Sequence, residues 1–109
     1  MTDDELARLR PTDGARFLLE LERADGARAR YRAWILTPGE QFAFVATLDE
    51  DGGCELVRDD GEGVADAPGE LMTMLAQIGK LTARAARGKR EDGLAPWPPR
   101  VLRWRGPGR

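Results

Sequence analysis

Lys80, Arg84 and Arg87 stand at i, i+4 and i+7, a spacing that lines three cations along one side of a helix. Further on, Arg100, Arg103, Arg105 and Arg109 share a short segment with Trp97 and Trp104. Guanidinium groups neutralise phosphate or carboxylate, and an indole offers a plane on which an unstacked base can lie. The chemistry on offer at Lys80, Arg84, Arg87, Arg100, Arg103, Arg105, Trp97 and Trp104 is therefore contact with an anion or a nucleic acid. Charge along the chain supports it. Residues 1–70 hold eight cations against 17 carboxylates, a balance of -9, and residues 71–109 hold nine against two, a balance of +7, which together make the net -2. The plainer alternative is a solvated helix face whose cations suit their own C-terminal dipole, with the tryptophans in the core. Arg outnumbers Lys 15 to two and Ala also numbers 15, as GC-rich bacterial coding produces, so the count of arginines says less than their placement.

Other constellations offer less. Asp49-Glu50-Asp51-Gly52-Gly53 has the acidity of a calcium loop, but its glycine falls at the fourth place instead of the sixth, which predicts a solvated hairpin turn. Asp59, Asp60 and Glu62 could hold magnesium, yet no glycine-rich phosphate cradle accompanies them. Arg28, Arg30 and Arg32 share a strand face, where Glu20 and Glu22 are their expected cross-strand partners. Cys54 is the one cysteine, so no intrachain disulfide and no cysteine zinc cluster can form, and it reads as a packing residue. There is no His and no Ser, which closes the usual routes to nucleophilic catalysis. No catalytic residue, cofactor site or metal site is expected.

The elements that must position these residues follow from periodicity. Thr2-Asp3-Asp4-Glu5 is a capping box for a short helix, marginal unless Leu6 and Leu9 dock. Alternation with period two then places Phe17, Leu19 and Leu21 on one face of a first strand. Ala29, Tyr31, Ala33 and Ile35 do the same on a second, and Phe42, Phe44, Ala46 and Leu48 on a third. A three-residue loop of Asp25, Gly26 and Ala27 makes both faces agree, pairing Glu22 with Arg30, Leu21 with Tyr31 and Phe17 with Ile35. A type II turn at Pro38-Gly39 pairs Ile35 with Phe42 and Trp34 with Ala43. A fourth strand covers about residues 54–58, and 59–63 is a loop. Asp66 or Ala67 caps a long helix that ends near Gly88 or before Gly93, with an apolar stripe of Leu71, Met74, Leu75, Ile78, Leu81, Thr82 and Ala85. Its four prolines make residues 94–109 stiff, and 100–105 allow a further strand.

The expected fold class is α+β: an antiparallel meander of about four strands, one long helix packed across one face, a short N-terminal helix and an extra C-terminal strand. Residues 1–93 form the domain and 94–109 an ordered strand or a tail. On the face away from the long helix, Leu18, Trp34, Leu36, Ala43 and Val45 make an apolar patch that needs a cover. Two covers fit, the C-terminal strand with Trp104 or the sheet of a second copy. Four strands followed by a helix over residues 15–88 resemble, in order alone, the unit of the Whirly, PUR and positive cofactor PC4 families. That resemblance implies dimers that bind single-stranded nucleic acid on the sheet. The function expected first is a non-enzymatic, homodimeric interaction domain with a basic C-terminal surface for an acidic protein partner. A single-stranded nucleic-acid-binding module is the alternative. The acidic N-terminus and the absence of an 18-residue apolar run predict a cytoplasmic chain with no membrane span.

Overall fold

The computed structural model describes residues 2–58 and 67–106. Helix α1 (Asp3–Leu9) precedes strands β1 (Ala15–Asp25), β2 (Arg28–Leu36), β3 (Gln41–Asp49) and β4 (Gly53–Arg58). Helix α2 (Gly69–Glu91) and strand β5 (Arg100–Arg105) follow. One five-stranded antiparallel sheet results, in the order β4-β3-β2-β1-β5. The α+β architecture is the expected one, with the C-terminal strand formed. The carboxylates Asp59, Asp60 and Glu62, the cap position Asp66 and Arg109 lie outside the described residues.

Parity of the faces sets the registers. Phe17 pairs with Ile35 and Leu21 with Tyr31, and Ile35 in turn pairs with Phe42 and Trp34 with Ala43. Both turns differ from expectation. The β1–β2 loop has two residues, Gly26 and Ala27, because the odd residue is absorbed at Glu22 as a bulge between Leu21 and Arg23. A two-residue loop follows the strand twist better, and Gly26 supplies the positive φ of 55°. The pairing of Glu22 with Arg30 in the ladder is thereby replaced by Arg23 with Arg30, although an ion pair from Glu22 to Arg30 survives at 3.7 Å. At the second turn Gly39 has no positive φ, so the turn is not type II. The Thr37 hydroxyl accepts from the Glu40 N–H at 3.1 Å, and the Thr37 N–H donates to the Glu40 carbonyl at 2.9 Å.

The core lies between α2 and the sheet face that carries Phe17, Leu19, Tyr31, Ile35, Phe44 and Leu48, all buried. α2 has no side-chain cap at its N-terminus, where Pro68 and the acidic Glu70 stand. It runs through Gly88 and stops at Asp92. There the Gly93 N–H bonds the Arg90 carbonyl and the Leu94 N–H the Lys89 carbonyl, a Schellman closure with φ 78° at Gly93. The residues of α2 that go deepest are Leu75, Gly79, Ala83 and Ala86. That line is rotated from the expected stripe: Leu81 is 62% exposed and Ala85 is exposed. Small residues explain the rotation, since a Cβ on Gly79 would stand 2.5 Å from Cys54 Sγ, so the helix sits down on β3 and β4 where it has least bulk.

On the opposite face the patch finds its cover within the chain. Leu18, Trp34 and Leu36 are buried beneath Leu6, with Leu9 and Ala43 packed around them. α1 thus takes the place of both expected covers over Leu18, Trp34, Leu36 and Ala43, with β5 extending the sheet edge and no second copy needed to bury Trp34. Val45, the fifth residue of the patch, is half-buried outside this cluster and pairs with Val57 of β4. Thr2 caps α1 as expected, its hydroxyl accepting from the Glu5 N–H at 3.2 Å. No helix among the described residues is long and apolar enough to cross a membrane.

A groove between the long helix and the edge strand

Rotating α2 towards β4 has a consequence on its other flank. Helical spacing puts Met74, Ile78, Leu81, Ala85 and Lys89 on the side that faces β5. With β5 they enclose a groove of about 460 Å³ whose floor includes Phe17 and Val101. α2 and β5 run in opposite directions: Met74 meets Arg105 at one end, and Lys89 and Pro98 line the other. Between Met74 and Lys89 the helix rises about 22 Å. The Thr82 hydroxyl is engaged with the Ile78 carbonyl at 2.9 Å, so this wall offers little but apolar surface.

The lip is cationic. Lys89, Arg100, Arg103 and Arg105 line the groove, and no carboxylate does. Arg100 turns its side chain to the other face of the sheet, on Glu20 at 3.7 Å, and Arg105 is engaged with Glu70 at 3.4 Å and Met74 Sδ at 3.0 Å. Among the described residues Lys89 and Arg103 have no carboxylate partner. Trp104, the next residue of β5, points to the other face of the sheet, opposite Arg16; it is 57% exposed and its indole N–H donates to the Asp13 carbonyl.

The sequence-predicted contact residues are divided: Arg100, Arg103, Trp104 and Arg105 border the groove, and the other four lie elsewhere. Lys80, Arg84 and Arg87 lie on the other flank of α2, where the stem of Arg84 covers Gly52 in the β3–β4 turn. Arg87 and Arg90 are tied to Asp51 and Glu50 of that turn, and the Glu50 side chain is only 10% exposed. Sign segregation along the sequence is thus partly cancelled in space. Trp97 is 4% exposed, held by its N–H on the Gly26 carbonyl at 3.1 Å, so it presents no stacking plane. The turn Asp49 to Gly53 has its carboxylates committed to Arg28, Arg87 and Arg90, in keeping with a hairpin turn. On the α1 side of the sheet Arg30 faces Glu22, and Arg32 lies 5.4 Å from the Trp34 ring centroid.

Cys54 packs under Gly79. Burial pushes its thiol pKa up, against an opposing pull from Lys80, which makes it a poor nucleophile at neutral pH. Sequence reasoning missed Lys89 and put Leu81 and Ala85 in the core stripe, where both are exposed; Met74 and Ile78 of that stripe do pack against the core and line the groove with their remaining surface. The available signal was the width of the apolar arc on α2, which exceeds what one line of contact with a sheet can bury. No protein family, characterised protein or solved structure matches the chain.

Proposed function

We propose that this chain is a non-enzymatic interaction domain whose working surface is the α2–β5 groove, and that its partner is acidic and partly apolar. One observation carries the reading: an apolar groove with the cations Lys89, Arg103 and Arg105 on the side that faces α2, the first two without a carboxylate partner among the described residues, and with no carboxylate in its lining. Grooves of this size with a few placed polar groups are the usual form of a binding site. A chain lacking His and Ser has little to run catalysis with, which favours binding over turnover. The homodimer expected through Trp34 loses its support here, because α1 occupies that patch.

Poly-L-glutamate, followed by amide shifts of the full chain, tests the reading. Shifts should concentrate at Leu81, Lys89 and Arg103, and Lys89→Glu with Arg103→Glu should abolish them. The pair Lys80→Glu with Arg84→Glu, on the other flank, should leave them in place. The opposite pattern would move the site and overturn the proposal. Exposure of Trp104, whose indole stands on the sheet face away from Arg103 and α2, favours a second reading, single-stranded nucleic acid, since that ring offers a stacking plane. Two open lip cations set a weak salt dependence, a log–log slope of about -1.4 at roughly -0.7 per phosphate. A slope nearer -4, with Trp104 quenched, would replace the first reading by the second.

A further inference from the structure

We infer that the α2–β5 groove is the site of a single-chain fatty carboxylate of about dodecanoate length, an inference that rests on the groove being the working surface. Size comes first. At roughly 30 Å³ per heavy atom, the share a water molecule takes in the liquid, a groove of 460 Å³ holds about 15 heavy atoms. That is one unbranched chain with its head group. Shape agrees, because the apolar row Met74, Ile78, Leu81 and Ala85 runs lengthwise opposite Val101, and at the Met74 end the charge of Arg105 is already compensated by Glu70. Chemistry of the lip selects the head. Of the two cations without a carboxylate partner among the described residues, Lys89 lines the Pro98 end and Arg103 stands two residues from Arg105, so one head group meets one of them. The fork of Arg103 matches a carboxylate in two parallel hydrogen bonds, which puts the head there and the tail along Ile78, Leu81 and Ala85 towards Lys89. A bilayer lipid is a worse fit: it brings two chains, and surfaces that read anionic bilayers gather four to eight cations together.

The test is calorimetry and amide-shift titration of the full chain with dodecanoate below its micelle concentration. Dodecyltrimethylammonium and phosphatidylglycerol vesicles are the comparison arms. One saturable site is expected, with shifts at Leu81, Ala85, Val101 and Arg103. Arg103→Glu should weaken it by at least about ten-fold, the cost of losing a charged hydrogen-bond partner. Ala85→Trp, at an exposed position, should fill the groove and remove binding while the melting temperature stays near that of the parent. Equal binding of the trimethylammonium amphiphile would overturn the proposal, since only the apolar wall would then matter. Vesicle flotation that soluble dodecanoate does not compete away would overturn it in favour of a bilayer. Should poly-L-glutamate still shift Arg103 while dodecanoate shifts nothing, the ligand class fails and the binding surface stands; should neither bind, both fall.

Discussion

Tyr31 sits at the middle of the sheet with no exposed surface, and its hydroxyl donates to the Pro98 carbonyl at 2.7 Å. Burial raises its pKa from 10.0 to about 12. The raised value means that the fold favours the neutral phenol. Its contribution is complete below pH 10 and is lost between about pH 10 and 12, where the unfolded chain releases the proton and the folded chain holds it. Two units correspond to about 3 kcal/mol at most. As the chain has one tyrosine, absorbance at the phenolate band reads this group alone. Titration is expected near pH 12, and Tyr31→Phe should flatten the alkaline fall in stability; a midpoint at pH 10 would refute the burial. Gly79 is the second decisive residue. Ala there gains about 1 kcal/mol of helix propensity, yet its Cβ would stand 2.5 Å from Cys54 Sγ and 3.2 Å from Leu48 Cδ2. Overpacking of about 1–3 kcal/mol should win. Gly79→Ala is expected to lower stability in denaturant melts, and adding Cys54→Ala should restore most of the loss. Equal losses in the single and double variants would show that the contact is not the cause.

Among the elements, α1 has seven residues, too few to stand in water alone. Docking of Leu6, 3% exposed, over Leu18, Trp34 and Leu36 holds it in place. Leu6→Ala should cost about 2–4 kcal/mol and wet Trp34, visible as a red shift in tryptophan emission together with faster amide exchange over α1. An unshifted spectrum would count against α1 as the cover. Much of this element was legible: Thr2 and Glu5 announce the helix start, and Leu6 and Leu9 announce an apolar side. What it covers was not, because several segments could bury Trp34 and local pattern does not rank partners distant in sequence. The β1–β2 register was legible from parity, since a slip would have set Leu21 against Arg30. The bulge at Glu22 was not, because one odd residue preserves parity equally well in the loop or in the strand. For α2 the apolar arc was visible, but which part of it touches the sheet depended on Gly79 and Ala83 permitting closer approach than Ile78 or Leu81. The groove came from that choice, and so could not be read before it.

At the scale of the whole molecule, residues 94–106 close the fold. Trp97 bonds the Gly26 carbonyl, Pro98 accepts from Tyr31, and the Pro99 carbonyl accepts from the Leu21 N–H at 2.9 Å before β5 completes the ladder with β1. A boundary at residue 93 therefore does not separate a domain from an appendage. A chain ending there would leave β1 as an open edge and would uncover Phe17 and Leu19, both buried in the intact fold. A domain of this length holds on the order of 5–15 kcal/mol of stability, and truncating a buried Trp alone costs about 3–5 kcal/mol. Removal of the whole segment should then exceed what the remainder can sustain. We expect residues 1–93 to lose cooperative unfolding, with far-ultraviolet and near-ultraviolet melts no longer coincident, whereas Trp97→Ala in the full chain should still melt in one step at a lower temperature. A truncated chain that melts cooperatively near the parent temperature would return 94–109 to the status of a tail. In that case the groove would lose its second wall, and the binding surface proposed here would go with it.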